Sequence, residues 1–253
     1  MENNKKIEQR RLAQVKKRLL SSSNQLMQNY DAAIREYLLS GVAEKVTELM
    51  DTVESPRHMY YTPHHAVIRE DRVTTKIRIV FDASSHEVHT KSLNDNLDSG
   101  PNLNPDIMTV LLKFRLYPVA LVTDAQKAFL QIMIREEDRD ALRFLWYETE
   151  PEEGKPLPKI VAWRMNRVTF ETAPSTFLLA ATLHHHLRLT AKEYPETVGI
   201  LGQSVYVDDV ILGAQNVEEA EKRYMETKQI FSKASMKLQK WGSNCNKMRR
   251  HIP

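Results

Sequence analysis

Ser204-Val205-Tyr206-Val207-Asp208-Asp209-Val210-Ile211-Leu212 sets two adjacent carboxylates between two β-branched stretches. Val205 to Val207 and Val210 to Leu212 are strand formers, and Asp is favoured in turns, so the pair is expected to crown a β-hairpin. Two like charges so close raise each other's pKa unless a cation neutralises them. That arrangement suits a hard divalent ion with oxygen ligands, and one more acid from elsewhere would complete such a site.

Upstream, Tyr117-Pro118-Val119-Ala120-Leu121-Val122-Thr123-Asp124-Ala125-Gln126-Lys127-Ala128-Phe129 supplies a candidate. An apolar run ending in Asp reads as a buried strand that delivers one carboxylate at its C-terminal edge. Around these two stretches the pattern predicts helices over Glu2 to Leu20 and Gln25 to Met50, the second with Leu26, Tyr30, Ile34, Leu38 and Val42 at helical spacing. From Met59 to Phe81, two extended stretches flank the charged turn Arg69-Glu70-Asp71-Arg72, as a hairpin requires. Lys76 and Arg78 alternate with Ile77 and Ile79 there, so both cations share one face. Asn104-Pro105 predicts a capped helix to about Arg115. Strands are expected over Ala141 to Tyr147 and Lys159 to Thr169, and a helix over Ala173 to Arg188. Asn216 with Glu219 predicts a capping box opening a last helix with Val217, Ala220, Tyr224 and Phe231 on one stripe. This order suits an α+β fold.

The chain has 253 residues, 42% of them hydrophobic and 27% charged, enough for one large or two small units with real cores. The net charge of +3 is mild, but its distribution is uneven. Lys5, Lys6, Arg10, Arg11, Lys16, Lys17 and Arg18 crowd the start, and Lys237, Lys240, Lys247, Arg249 and Arg250 the end. Solvated helix faces would explain these as well as a polyanion would. Cys245 is the sole cysteine, which excludes an internal disulfide, and neither a secretory leader nor a membrane-length apolar run is seen. An intracellular protein, cytoplasmic or nuclear, is expected, with no membrane partner.

VTDAQKAFLQI (122–132) and SVYVDDVIL (204–212) resemble the first and third catalytic motifs of reverse transcriptases. YYTPHHAVIRED, TTKIRIVFDAS, SLNDNLDSGPNL, DRDALRFLW, TFLLAATLHHHL and LQKWGSN narrow the resemblance to the Bel/Pao class of LTR retrotransposons, over roughly Tyr30 to the C-terminus. The resemblance implies a right-hand polymerase palm, an antiparallel sheet with helices on one face, plus fingers in 53–253. A basic helical segment, 1–52, would precede them, with thumb and RNase H absent. It implies an RNA-directed DNA polymerase that adds deoxynucleoside triphosphates to a primer on an RNA or DNA template. Two Mg2+ ions, or Mn2+ in their place, would be held by Asp124, Asp208, Asp209 and the carbonyl of Ala125. Lys76, Arg78, Lys127, Ala128, Phe129 and Phe170 would contact the nucleotide, with Phe129 selecting against a ribose. Lys240 is a candidate general acid, though an exposed tail lysine would read the same way. The domain would belong to a polyprotein with RNase H and integrase.

One position departs from that pattern: Glu171 stands where relatives carry Gly after the Phe. A degenerate, inactive copy that keeps nucleic-acid binding is therefore the alternative. A third class, an unrelated two-metal nuclease or cyclase, would leave the other motifs unexplained. Asp98-Ser99-Gly100 imitates an aspartic peptidase signature but sits among polar residues without a second lobe. His184-His185-His186 point three ways on a helix and cannot converge on one ion.

Overall fold

The computed structural model describes residues 4–22, 24–47, 58–68, 77–152 and 154–252. In chain order the elements are α1 (Lys5–Ser22), α2 (Asn24–Leu39), β1 (Ala43–Lys45), β2 (His64–Ile68), β3 (Ile77–Phe81), α3 (Ile107–Phe114), β4 (Val119–Ala125), β5 (Arg143–Tyr147) and β6 (Ile160–Met165). There follow α4 (Ser175–Thr190), α5 (Pro195–Leu201), β7 (Val205–Tyr206), β8 (Asp209–Ala214), α6 (Val217–Lys233), β9 (Leu238–Ser243) and α7 (Asn246–His251). Residues up to 98 with 133–175 form one unit, and 99–132 with 176–253 a second. Both units combine helices with antiparallel sheets, as expected of an α+β chain. No described helix is long and apolar enough to cross a membrane.

In the first unit α2 stops at Leu39, well short of the Met50 that its apolar spacing predicts. Gly41 takes a left-handed φ of 68°, its N–H bonds Leu38 O, and the Val42 N–H bonds Tyr37 O. These two bonds are a Schellman stop, which a glycine permits at no steric cost. The chain then enters β1, which pairs antiparallel with β6, and β6 with β5. The predicted hairpin also forms: β2 pairs with β3 from His64↔Phe81 to Ile68↔Ile77, while its charged turn lies outside the described residues.

Every residue of β5 is buried, including Arg143, whose Nε donates to Asp140 Oδ1 at 2.8 Å. Arg164 reaches the same carboxylate at 3.2 Å and Glu44 at 2.7 Å. Trp146 Nε1 donates to Asp31 Oδ1 at 2.8 Å, and Arg35 Nε holds the other oxygen at 2.7 Å. Paired in this way the buried charges are tolerated, whereas removing one partner leaves an uncompensated charge and costs about 3–5 kcal/mol.

His64 and Glu8 sit at the centre of this unit. The His64 ring lies between Tyr30 Oη, 2.6 Å from Nδ1, and Leu145 O, 2.9 Å from Nε2, against Phe144 and Trp146. Burial pushes its pKa down from 6.5 to about 4, against the Leu145 hydrogen bond that favours the proton. Burial pushes Glu8 up from 4.5 to about 8, with Arg11 opposing, and Glu8 Oε2 has no hydrogen-bond partner among the described residues. Glu8 is therefore held protonated by the fold, and its contribution is complete below pH 4.5 and lost as pH rises to about 8. His64 is held neutral, and its contribution is lost as pH falls from 6.5 to about 4.

The second unit is built on one antiparallel sheet of order β7-β8-β4-β9. Along β4, Val119, Leu121, Thr123 and Ala125 are buried, and along β8 Val210, Leu212 and Ala214. Leu121 and Leu212, both fully buried, lie directly opposite each other. Helix α6 lies against both strands and buries Ala220, Tyr224, Thr227, Ile230 and Phe231. Its predicted cap is present: Asn216 Oδ1 accepts from the Glu219 N–H at 2.8 Å, and Glu219 Oε2 reaches back to the Gln215 N–H. Gly213 is required, because a Cβ there would stand 2.3 Å from the Tyr117 ring. Helix α3 differs from expectation at its start. Asp106, not Asn104, is the cap, accepting from the Thr109 N–H and hydroxyl at 2.8 Å each.

Glu8→Gln, which keeps the shape and removes the titration, is expected to flatten the alkaline limb of a melting curve measured against pH. At pH 8 the variant should melt about 10 °C or more above the parent, at roughly 2–4 °C per kcal/mol for a chain of this size, and the two should converge near pH 4.5.

Candidate catalytic site

Strand period decides which side chains share a face. With Val119, Leu121, Thr123 and Ala125 turned into the core of the second unit, Asp124 falls on the opposite face of β4. The β4–β8 register pairs Thr123 with Val210 and Asp124 with Asp209, so Asp209 stands directly across from Asp124 on that same outer face. Asp208 is next to it in the two-residue turn between Tyr206 and Asp209, and its carbonyl accepts the Ala125 N–H at 2.8 Å. The sequence places both acids at the turn. In the structure Asp208 occupies the turn and Asp209 opens β8.

Val207, the other turn residue, adopts a left-handed φ of 57°. For a β-branched residue this costs on the order of 1–3 kcal/mol, and such strain collects at functional sites. Its N–H donates to Asn104 Oδ1 at 3.1 Å.

The fourth strand brings in a cation. Between Val122↔Gly242 and Asp124↔Gln239 the β4–β9 register slips, with an extra residue on β9. Lys240 lies in this bulge at a φ of 54°. A bulge re-aims the side chain it carries, and here Lys240 Nζ meets Asp124 Oδ2 at 2.8 Å, joined by Gln239 Nε2 at 3.1 Å. Asp124 Oδ1 is buried and without a hydrogen-bond partner among the described residues. The pKa of Asp209 is raised by partial burial and by the charges of Asp208 and Asp124, with Lys240 opposing. Lys240 is thus a strand residue in the acid cluster, not a tail lysine.

The remaining candidates divide between the two units. After Ala125 the chain turns through Lys127, left-handed at a φ of 51°, into a 3-10 turn over Ala128–Gln131, in which Phe129 is buried. A left-handed residue followed by right-handed ones aims successive N–H groups to one side, a concavity suited to anions. Arg78, exposed on β3 opposite Val67, and Phe170, exposed in the turn after β6, belong to the first unit. Lys76 lies outside the described residues. Glu171 is exposed and is not among the residues with a left-handed backbone, so its side chain strains nothing. Its carbonyl accepts from Asn94 Nδ2 at 3.0 Å, and Asn94 Oδ1 takes the Ala173 N–H at 2.8 Å. His186 Nε2 meets Ile230 O at 2.7 Å.

Among the described residues, no three His, Cys, Asp or Glu side chains stand ready-formed around a common point. The donor set nevertheless fits a hard divalent cation: two carboxylates paired across strands with a third in the adjoining turn, a buried carboxylate oxygen lacking a partner among the described residues, and mutual repulsion at Asp209 that Lys240 opposes. Sequence reading missed Asn104, whose neighbouring Pro105 suggested a helix start, and Gln239. Neither a register slip nor a turn contact leaves a local signal.

No protein-family model matches the chain, and no curated protein does. Solved structures do. The foamy viral protease-reverse transcriptase in complex with double-stranded DNA superposes on 82% of this chain with a TM-score of 0.58 at 20% identity. The fold is similar to that of a retroviral reverse transcriptase. The chain spans 30% of the length of that viral protein.

With three like charges grouped and one lysine opposing them, Asp209→Asn should raise the melting temperature in EDTA by about 1 °C or more. A fall would show that the carboxylates do not repel one another in the folded protein.

Proposed function

We propose that the chain is the reverse transcriptase domain of a Bel/Pao-type retrotransposon polyprotein, an RNA-directed DNA polymerase. The in-register pairing of Asp124 with Asp209, with Asp208 in the adjoining turn, carries this reading. The second unit would be the palm, and the first the fingers with the N-terminal helices.

Asp124 and Asp208 would hold a pair of divalent cations, Mg2+ or Mn2+, with Asp209 and the Ala125 carbonyl in support. When bound, such a pair activates the primer 3′-hydroxyl and neutralises charge on the departing pyrophosphate. The chain's own groups do the rest. Backbone N–H groups of Lys127 and Ala128 receive phosphate oxygens at the turn after β4. By the resemblance, Phe129 would lie under the deoxyribose and exclude a 2′-hydroxyl, and Lys76, Arg78 and Phe170 would be further nucleotide contacts. Lys240, which already reaches the acid cluster, is the proton donor to pyrophosphate once it leaves Asp124. Template and primer are tracked through their phosphates by the basic surfaces.

The alternative, an inactive copy that still binds nucleic acid, is favoured by Glu171 in the place of Gly. Because Glu171 strains no backbone, only its size and charge argue against activity.

Template-primer extension with Mg2+ separates these readings. The parent should extend, and Asp208→Asn should lose activity about 10³-fold or more. Extension by Glu171→Gly alone would establish the inactive-copy reading, and no extension by either protein, with binding insensitive to salt, would overturn both. Lys240→Ala should lower the single-turnover rate by about 10²-fold with little change in template-primer affinity.

A further inference from the structure

Asn104 takes no part in starting the helix that follows it, because Asp106 caps α3 through Thr109. Its carboxamide is committed elsewhere. Asn102 Oδ1 accepts from both the backbone N–H of Asn104, at 3.1 Å, and its Nδ2, at 3.4 Å. With the amide nitrogen turned to Asn102, Asn104 Oδ1 faces the Val207 N–H at 3.1 Å. Pro105 restricts the backbone just after Asn104 and contributes no competing donor.

The turn it touches is closed by the pairing of Tyr206 with Asp209, and two further ties hold its two residues. Asp208 is tied through its carbonyl to the Ala125 N–H at 2.8 Å, and Val207 is tied through its N–H to Asn104. Val207 holds a left-handed conformation that a β-branched residue abandons unless something fixes it. Loss of the Asn104 acceptor would leave a strained N–H without its partner. The turn would then relax toward negative φ, carrying Asp208 away from its place beside the strand pair.

We propose that Asn104 is a positioning residue that clamps the Val207 N–H and so fixes Asp208 beside Asp124 and Asp209. This rests on the polymerase reading for its consequence in catalysis, though not for its structural content. Asn104 touches neither substrate nor cation; it acts through Val207.

The test uses Asn104→Ala, Asn104→Asp, which keeps an acceptor, and the double variant Asn104→Ala with Val207→Gly, in which glycine needs no clamp to hold a left-handed φ. Three readouts are followed in each: hydrogen exchange at the amide of position 207, Mn2+ affinity by electron paramagnetic resonance, and the single-turnover extension rate beside template-primer affinity. Asn104→Ala should speed exchange at Val207 by about tenfold or more, weaken Mn2+ by a similar factor and slow extension by about 10²-fold, as a displacement of about 1 Å can, without weakening template-primer binding. Asn104→Asp should retain protection at Val207, and glycine at 207 should restore most of the lost Mn2+ affinity. Unchanged exchange at Val207 in Asn104→Ala overturns the proposal, as does Mn2+ affinity that glycine fails to recover. If the parent neither extends primers nor binds Mn2+, the polymerase reading falls, and exchange at Val207 still decides whether Asn104 is the clamp.

Discussion

The register of β4 against β8 is the constraint from which the candidate site follows. Strand side chains alternate, so a slip of one residue would send every core residue to the outer face. Leu121 opposite Leu212, and Thr123 opposite Val210, can be buried together only if Asp124 stands opposite Asp209. Apolar burial thus forces two carboxylates together on the outer face, against their mutual repulsion. Each large side chain so buried contributes about 1.5–3 kcal/mol, which a partly exposed pair of charges does not overcome. Tyr117 against Gly213 secures the far end of the same strand pair.

Strain marks the opposite end. Five described non-glycine residues have a left-handed backbone, and three of them, Lys127, Val207 and Lys240, border the acids. Each has a visible use: Lys127 turns the chain after β4, Val207 presents Asp208, and Lys240 occupies the bulge that brings its ammonium to Asp124. A fold selected for stability alone would place glycine or asparagine at such positions. Their clustering sets function against stability at the same place where the charges do.

Much of this was readable in the sequence, for physical reasons that are local. The apolar run before Asp124, the β-branched flanks of Asp208 and Asp209, the alternation in β2 and β3 and the Asn216–Glu219 cap each follow from short-range preferences. The misreadings share a cause. Helical spacing continued past Leu39, but Gly41 gave the chain a stop that spacing alone does not weigh. Asn104 had the chemistry of a cap, and the contact that captured its side chain comes from Val207, distant in sequence. The bulge at Lys240 arises from pairing between strands and has no signature within β9. Resemblance supplied the acids' proposed role, and the strand register supplied their meeting.

Whether these acids form a cation site is decided most directly by diffraction from crystals soaked in Mn2+. The account predicts an anomalous peak about 2.0–2.2 Å from carboxylate oxygens of Asp124 and Asp208, with the Lys240 ammonium displaced from Asp124. A map with no peak at these carboxylates, and Lys240 still bound to Asp124, would contradict it.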